Sequence, residues 1–321
     1  MRILITGGYG FVGGRLALHL AQVGHQIVLG TRHSITLPDW LPQAEVLQIA
    51  WDDESLLERA CDGMDVIIHA AGMNAQDCTA DPVAALAFNG VATARFVAAA
   101  SRASVKKFIY LSTAHVYASP LAGVITEETC PRNFHPYATS HLAGEQAVLS
   151  AHSRGELQGI VLRLSNVFGV PIHKDVKCWM LLVNDLCKQA VQTRKLVLQS
   201  SGLQYRDFIG LTEVCCVAEK LVDSVQLQQV NVFNVGAGES QSVLEMAKLI
   251  QQRCAEILGF TPELQHKQSG VDELYPNLIY RTENLNSLGI SWKSQTNAEE
   301  IDTLLLFCQS SFNKTMSLMH E

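Results

Sequence analysis

The chain has 321 residues, of which 48% are hydrophobic and 17% charged, and its formal net charge is -7 at pH 7 with a pI of about 5.9. This length is sufficient for a large buried core in one two-lobed domain or in two domains. The acidic balance gives no basic surface of the kind that phosphate backbones attract, so nucleic acid is not an expected partner.

The apolar residues 1–24 resemble a signal peptide in length, but their glycines lie where a strand turns into a helix and no small-residue cleavage site follows. We therefore expect them to be part of the fold, and the protein to be cytoplasmic with no membrane association. Nine cysteines occur without a Cys-x-x-Cys pair or a nearby histidine cluster. Reduced, mostly buried thiols and no metal site are expected.

Short β-rich runs alternate with longer helical patterns through the first half of the chain. This alternation is typical of an α/β fold in which a doubly wound parallel Rossmann sheet carries helices on both faces. The runs are almost continuously apolar, as strands buried on both faces must be. The predicted strands are 2–6, 26–30, 45–49, 65–70, 107–112 and 159–164, and the main helices between them are 85–103 and 137–153.

Beyond about residue 170 the alternation is less regular, and no linker or repeat separates the two halves. The apolar periodicity predicts two helices and two short strands, at 174–192, 242–257, 196–199 and 231–235. We expect an NAD(P)-binding Rossmann domain over residues 1–170 and a smaller C-terminal α/β substrate lobe over residues 171–321. Some segments of the lobe return to the sheet, and a cleft lies between the two parts.

The first predicted strand leads directly into a glycine-rich turn, TGGYGFVGG, in which Gly7, Gly10 and Gly13 are spaced three apart. Glycine is needed there because the backbone must bend tightly and approach a pyrophosphate closely, and because the helix must pack near the strand. The amides at the helix N-terminus then hold the anion. The position between a strand and a helix predicts binding of a nicotinamide dinucleotide, with Phe11 and Val12 in the same loop.

The end of the second strand discriminates between NAD and NADP, because an acidic side chain there accepts from the ribose 2'-hydroxyl whereas a cation accommodates a 2'-phosphate. The sequence has Thr31, Arg32 and His33 and no carboxylate. NADP is therefore preferred over NAD, unless Arg32 is only a solvated loop residue. Asp52 and Asp53 have two open interpretations: they bond the adenine amino group, or they begin the next helix as N-terminal carboxylates do.

Eight motifs follow one another in order along nearly the whole chain: ITGGYGFVG, IIHAAG, FNGVAT, KKFIYLSTAHVYA, PYATSHLAGE, VLRLSNVFG, LQYRDFIG and VFNVGAGES. With them the chain resembles an extended short-chain dehydrogenase/reductase, the family of nucleotide-sugar epimerases, dehydratases and ketoreductases. The resemblance implies that Thr113 is the catalytic hydroxyl and Tyr137 the catalytic acid and base. His141 stands where the family usually has a lysine.

The same resemblance implies cofactor contacts from Tyr137 and His141 themselves and from four further residues, His69, Ala70, Ala71 and Asn89. Asn166 and Arg206 fall where family members hold a nucleotide diphosphate. Their chemistry suits that task, because Arg206 can clamp a phosphate with two parallel hydrogen bonds and Asn166 can donate an amide proton to it. The alternative for Arg206 is an ion pair with the neighbouring Asp207.

The histidine at position 141 is the main departure from the family pattern. A phenol with a pKa of about 10 needs tuning before it exchanges a proton at neutral pH. In the family a lysine ammonium on the same helical face favours the phenolate and bonds the nicotinamide ribose. Three possibilities are open here: an imidazolium held by a carboxylate or phosphate replaces the ammonium, a neutral ring holds the ribose, or redox chemistry has been lost. We expect that activity survives and that mildly acidic pH favours it.

The residues that follow the catalytic hydroxyl bear on the reaction. The 4,6-dehydratases of the family carry an Asp-Glu pair there, whereas this chain has Ala114 and His115, so dehydration is not expected. The predicted function is reduction or epimerisation at C4 of a nucleotide-diphosphate sugar. Of these two reactions, the basic residues after the second strand slightly favour reduction, because they favour NADP as the cofactor. The alternative is a non-catalytic NADP-binding sensor or scaffold. A homodimer through helices 85–103 and 137–153 is also implied, although burial within one subunit gives the same alanine-rich faces.

Overall fold

A parallel β-sheet flanked by helices forms the centre of the molecule. The computed structural model describes residues 1–32, 36–224, 230–268, 276–290 and 296–313. The strands, β1 to β14 in chain order, are Arg2–Thr6, Gln26–Thr31, Glu45–Gln48, Val66–His69, Lys107–Thr113, Gly123–Ile125, Gln158–Leu164, Asn166–Phe168, Lys195–Val197, Tyr205–Gly210, Val232–Val235, Ser240–Ser242, Glu263–Gln265 and Leu278–Tyr280. The helices, α1 to α11, are Phe11–Gln22, Glu54–Cys61, Ala75–Ala80, Pro82–Ala85, Thr93–Arg102, Pro136–Ser153, Leu182–Thr193, Leu211–Asp223, Val243–Leu258, Glu283–Ser287 and Thr296–Phe312.

The central sheet has seven strands in the order β11-β7-β5-β4-β1-β2-β3, and every neighbouring pair is parallel. The chain moves outward from β1 in one direction through β2 and β3, and in the other through β4, β5 and β7. A crevice therefore opens at the carboxyl ends of β1 and β4, where the direction of winding reverses. The predicted doubly wound Rossmann sheet is confirmed. β11, from the second half of the chain, returns to the sheet beside β7.

Alternate side chains of each strand enter two apolar cores, because both faces of the sheet are covered by helices. Ile3 and Ile5 pack on one face with residues of α1 and α8. Leu4 and Ile67 pack on the other face with residues of α2, α5 and α6. α8 thus packs against α1 and belongs to the core of the central sheet, although it lies in the second half of the sequence.

The predicted helix at 85–103 is a composite. α4 leads into a π-helical segment, Leu86–Ala92, which continues as α5. The stretch Pro82–Arg102 is long and apolar enough to cross a membrane by length and composition, and half of its most apolar window is buried inside the protein. Phe96 and Val97 on this stretch lie in the core of the sheet, so its apolar composition is accounted for by packing against α2 and α6.

The second half of the chain adds a third core between α7, α9 and α11. Two small sheets, β12-β10-β8 and β13-β9, lie beside it. The predicted helix at 174–192 is wrong at its start, since α7 begins only at Leu182. The residues before it form turns in which the Trp179 indole N–H donates to the Lys174 carbonyl at 2.8 Å. The predicted domain boundary at 170 stays a prediction.

Candidate active site

A cleft of about 640 Å³ opens at the carboxyl ends of the central strands. Its walls carry the residues that follow β1, β4, β5 and β7, together with the start of α6 and one side of β10. Of the predicted site residues it brings together Gly7, Gly10, Phe11, Val12, Gly13, Ala70, Thr113, Tyr137, His141, Asn166 and Arg206. The glycine-rich turn and the tyrosine motif, which are far apart in sequence, therefore line one cavity.

The glycine-rich turn is built so that only glycine fits at its key positions. Gly7 has a φ of +66°, and a Cβ there would lie 2.9 Å from the backbone of Ala70 and Ala71. A Cβ on Gly13 would lie 2.3 Å from the Gly7 carbonyl oxygen. Gly10 is the N-cap of α1, where no side chain caps the helix and no acidic residue lies in the first turn. The bare N-terminus of a 12-residue helix therefore faces the cleft, and this cradle fits a dinucleotide pyrophosphate.

The residues predicted to discriminate between NAD and NADP are not among those that line the cleft. Thr31 ends β2 and is half-buried, Arg32 is exposed, and His33 lies outside the described residues. The Asp52 side chain is fully exposed and its Oδ1 lies 3.4 Å from Arg95 Nη1. Asp53 is the N-cap of α2 and accepts from the Leu56 amide at 3.0 Å. The helix-starting interpretation is thus realised for Asp53, and the adenine contact stays a prediction.

Tyr137 lies at the start of α6, held there by the local sequence. Pro136 occupies the first turn, where its missing N–H costs nothing, and the His135 ring accepts from the Tyr137 amide at 3.2 Å. Burial raises the pKa of Tyr137, and a hydrogen bond with Thr113 offsets that rise only in part. The phenol is therefore the stable form at neutral pH.

His141 lies one helical turn after Tyr137, and their ring centroids are 4.6 Å apart. Its Nδ1 lies 2.9 Å from the Tyr110 hydroxyl, and its Nε2 edge faces Gly72, which lines the cleft. Burial lowers the pKa of His141 to about 4, so the ring is neutral at pH 7. This favours the neutral-ring possibility. Among the described residues no carboxylate contributes to the pKa of His141, so an imidazolium held by a carboxylate is not supported, and one held by a phosphate stays a prediction.

Arg206 extends from β10 into the cleft. Burial lowers the pKa of its guanidinium. Within the described residues it has no ion pair with Asp207, whose Oδ1 accepts instead from the Ser165 hydroxyl at 2.6 Å and the Ala237 amide at 2.8 Å. The alternative of a local Arg206–Asp207 pair is therefore wrong. A half-buried cation that faces a cleft without a bound carboxylate is suited to an anionic ligand. Asn166 already donates one amide proton to the Asp207 carbonyl at 2.8 Å, which leaves its second N–H for a ligand.

Three residues predicted at the cofactor lie behind the cleft. The His69 ring is buried and bonds the side chains of Thr6 and Thr93. The Ala71 amide donates to Thr6 Oγ1 at 3.4 Å. The buried Asn89 accepts from the Met73 amide at 2.8 Å and donates to Ser140 Oγ at 3.0 Å. These residues hold the walls of the cleft in place, and direct cofactor contacts from them stay predictions.

Sequence reasoning missed two features of the site. Lys177 lines the cleft together with Asn166 and Arg206 and adds a second cation to it, but no motif in the sequence surrounds Lys177. Tyr110, within the KFIYLS strand, bonds His141, although a tyrosine in a buried strand looks like any core residue. In the described part of the chain, no group of three or more His, Cys, Asp or Glu side chains is arranged to hold a metal ion.

Comparison with known proteins shows the family of the chain. The family model for the NAD dependent epimerase/dehydratase family matches residues 3–236. A dTDP-D-glucose 4,6-dehydratase of Bos taurus is 25% identical over 307 residues, which covers 91% of this chain and 84% of the relative. A UDP-glucose 4-epimerase of Bacillus subtilis is 26% identical over 277 residues, which covers 78% of this chain and 82% of the relative.

Solved structures share the fold over almost the whole length. The UDP-glucose 4-epimerase of Thermotoga maritima with UDP-glucose superposes with a TM-score of 0.80 at 22% identity, covering 98% of this chain and 100% of the other. The Thermus thermophilus UDP-glucose 4-epimerase in complex with NAD gives 0.79 at 21% identity, covering 97% and 100%. The resemblance drawn from the eight motifs is confirmed, and the chain belongs to the NAD-dependent epimerase/dehydratase family of nucleotide-sugar enzymes, within the extended short-chain dehydrogenases/reductases.

Proposed function

We propose that this protein oxidises and reduces C4 of a nucleotide-diphosphate sugar, as an NAD(P)-dependent epimerase or ketoreductase, with Tyr137 as the acid and base. One observation carries the proposal: a single cleft contains the glycine cradle, the Thr113–Tyr137 pair and the Arg206 cation. These are the parts needed to hold a dinucleotide, to move a proton and to hold a diphosphate.

The residues that move the proton are Tyr137 and Thr113. When bound, the nicotinamide cofactor supplies a reversible acceptor for the hydrogen at the reacting sugar carbon. Tyr137 Oη accepts the proton of the sugar hydroxyl during oxidation and returns it to the ketone during reduction. Thr113, which hydrogen-bonds Tyr137, orients the phenol. The neutral His141 holds the cofactor ribose through a hydrogen bond.

Arg206, Lys177 and Asn166 hold the diphosphate of the substrate. Two cations and an amide that line the same cleft match the charge and the hydrogen-bond acceptors of a nucleoside diphosphate. Anchoring the nucleotide leaves the sugar free to turn between two faces, as an epimerase requires. It also gives the ordered binding that a reductase uses.

The finer choices of cofactor, reaction and assembly follow from particular residues. We infer a preference for NADP from Thr31 and Arg32 alone, while the related proteins are described with NAD. We infer that dehydration is absent, because Ala114 and His115 stand where the family's dehydratases carry an Asp-Glu pair. A homodimer through α5 and α6 stays a prediction.

The function is tested by incubating the purified protein with UDP- and dTDP-linked hexoses and their 4-keto forms, each with NAD⁺, NADH or NADPH. Interconversion of sugars without net change in reduced nicotinamide identifies an epimerase. Stoichiometric loss of NADPH with a 4-keto sugar identifies a reductase. Tyr137→Phe is expected to lower kcat by about 10²–10⁴-fold while leaving the dissociation constant of the dinucleotide within about twofold, because the hydroxyl serves the proton transfer.

A second candidate function, a non-catalytic dinucleotide sensor or scaffold, is favoured by one observation. In the described part of the chain, the ring that stands beside Tyr137 is the neutral His141, and the pKa of Tyr137 is raised. Tight binding of NADPH or NADH without turnover of any sugar nucleotide would establish this function and overturn the enzymatic one. The identity of a nucleotide that co-purifies with the protein would narrow the substrate in either case.

A further inference from the structure

A continuous chain of buried polar side chains runs behind the cleft and ends at His141. It starts at the Ala71 amide, which donates to Thr6 Oγ1. Thr6 Oγ1 lies 2.6 Å from His69 Nδ1, and His69 Nε2 lies 3.0 Å from Thr93 Oγ1. The Thr93 side chain lowers the pKa of the neighbouring Tyr110 as a hydrogen-bond donor does, and the Tyr110 hydroxyl lies 2.9 Å from His141 Nδ1. Thr6, His69, Thr93 and Tyr110 are each at most 2% exposed.

Every member of this chain is neutral, so each histidine has one N–H and one acceptor nitrogen. Burial lowers the pKa of His69 to about 3 and that of His141 to about 4. Burial also raises the pKa of Tyr110 well above its ordinary value, so the tyrosine keeps its proton. The open question is the direction in which the hydrogen bonds point.

The Ala71 amide fixes that direction, because a backbone N–H can only donate. Thr6 Oγ1 accepts from Ala71, and its own proton then goes to His69 Nδ1. The distance of 2.6 Å suits a hydroxyl donor and is shorter than the usual range for an N–H donor. His69 Nε2–H donates to Thr93, Thr93 donates to Tyr110, and the Tyr110 hydroxyl donates to His141 Nδ1. In the reverse direction Thr6 would accept twice, and its proton would have no acceptor among the described contacts of that hydroxyl.

We propose that this chain sets the tautomer of His141, so that the ring accepts at Nδ1 and presents an Nε2–H to the cleft beside Gly72. Tyr110 is then a positioning residue that acts through His141. The inference deepens the proposed function and rests on it for the identity of the ligand, a nicotinamide dinucleotide. A neutral donor of fixed direction gives the cofactor ribose a hydrogen bond without placing a positive charge next to Tyr137.

The packing of α6 makes room for this arrangement. A Cβ on Gly144 would lie 2.7 Å from the Tyr110 hydroxyl oxygen and 2.7 Å from the Asn89 carbonyl oxygen. The glycine in HLAGE therefore lets the helix approach the hydroxyl closely. The His69 ring stacks on the Tyr110 ring with centroids 5.6 Å apart, which holds the phenol between the two histidines.

The test uses the full chain labelled with ¹⁵N-histidine, without ligand, and NMR of its ring nitrogens. The signals of His141 are identified as those missing from His141→Gln. We expect the wild-type ring to show an unprotonated Nδ1 and a protonated Nε2. Tyr110→Phe, which keeps the ring and removes the donor, is expected to shift His141 towards the Nδ1–H form and to raise the dissociation constants of NADH and NADPH by about five- to tenfold.

Thr93→Val interrupts the chain one step earlier and keeps Tyr110. We expect a smaller shift of the His141 signals in the same direction. The matched control is Tyr117→Phe, which removes another buried tyrosine hydroxyl, one that donates to Asn234 Oδ1 at 2.7 Å, and it is expected to leave the His141 signals unchanged.

An Nδ1–H tautomer in the wild type, or unchanged His141 signals in both Tyr110→Phe and Thr93→Val, overturns the proposal. If Tyr110→Phe does not fold, the wild-type and Thr93→Val spectra decide. Absence of sugar turnover would overturn the proposed function alone, since the tautomer is read without substrate.

Discussion

At the level of single residues, the neutral imidazole at 141 determines how the reaction responds to pH. Because the pKa of Tyr137 is raised, the phenol persists through the neutral range and can donate a proton during reduction. Oxidation needs the phenolate, and below the pKa its population increases about tenfold for each unit by which the pH rises. The rate of oxidation should therefore rise with pH, while reduction stays level. The expectation of a mildly acidic optimum is not supported, because the pKa of His141, about 4, lies below that range.

His141→Lys tests this account by restoring a cation on the same helical face. A unit charge about 4 Å from the phenolate, at an effective dielectric of about 20, is worth about 4 kcal/mol, or about 3 pK units. We expect the apparent pKa of sugar oxidation to fall by up to about 3 units in His141→Lys. The measurement is a pH–rate profile of oxidation with saturating cofactor.

The matched control for that substitution is His141→Gln, which stays uncharged and should keep the alkaline profile of the wild type. Identical profiles for the wild type, the lysine variant and the glutamine variant would show that charge at position 141 does not tune Tyr137.

At the level of elements, a buried ion pair between Glu145 and Arg163 fixes helix α6 to the sheet. This pair also fixes the positions of Tyr137 and His141, which lie on the same helix. The Glu145 carboxylate accepts from Arg163 Nη2 at 2.7 Å and from the Ser112 hydroxyl at 2.5 Å. Glu145 is fully buried and lies one turn after His141 on the same helix. Ser112 and Arg163 belong to β5 and β7. The strands that line the cleft therefore set the position of the helix directly.

A second buried cation, Lys107 of β5, holds the end of α8 against that strand. Lys107 Nζ donates to the carbonyls of Leu221, Val222 and Ser224 at 2.6 to 2.8 Å. These carbonyls lie at the C-terminus of the helix, where the regular hydrogen bonds of the helix end and a cation is favourable. Burial lowers the pKa of Lys107 to about 8.

Lys107→Met should lower the free energy of unfolding by about 2–4 kcal/mol, because it leaves several poorly solvated carbonyls without a donor. Lys106→Met is the matched control. Its side chain is 81% exposed and pairs with Asp65, so the loss should be below about 1 kcal/mol. Urea unfolding of both variants measures the difference. Equal stabilities would mean that water replaces the lysine at the end of α8.

The strands of the central sheet could be predicted from sequence to within one or two residues. Nearly continuous apolar runs such as RILIT are typical of parallel strands that are buried on both faces. The α6 helix and the glycine turn were predicted for similarly local reasons. The start of α7 could not be, since residues 174–181 have helical periodicity but form turns closed by Trp179. The tautomer of His141 also could not be, because it depends on Tyr110, a contact between residues 31 positions apart.

At the level of the whole molecule, a buried carboxylate on the last helix contacts residues from both halves of the chain. Glu300, on α11, accepts from the Val170 amide at 3.3 Å and from the Thr212 hydroxyl at 2.5 Å. Its Oε1 also lies 3.6 Å from Arg15 Nη1 on α1. Residues of α1, of α8 and of the segment after β8 thus contact a single side chain on α11, and that side chain is 4% exposed.

We expect Glu300→Gln to destabilise the entire molecule in a single transition, because the contacts of this carboxylate span both halves. The substitution keeps the volume but removes the charge, and the expected loss is about 1–3 kcal/mol. Glu299→Gln, at the exposed neighbouring position, should change stability by less than about 0.5 kcal/mol. Urea unfolding followed both by far-UV circular dichroism and by release of bound dinucleotide separates the possibilities. If dinucleotide release precedes the loss of helix in Glu300→Gln but not in the wild type, the two halves of the variant unfold separately, which contradicts the expected single transition. If Glu300→Gln is as stable as Glu299→Gln, the connection resides in the apolar packing of α8 and not in the ion pair.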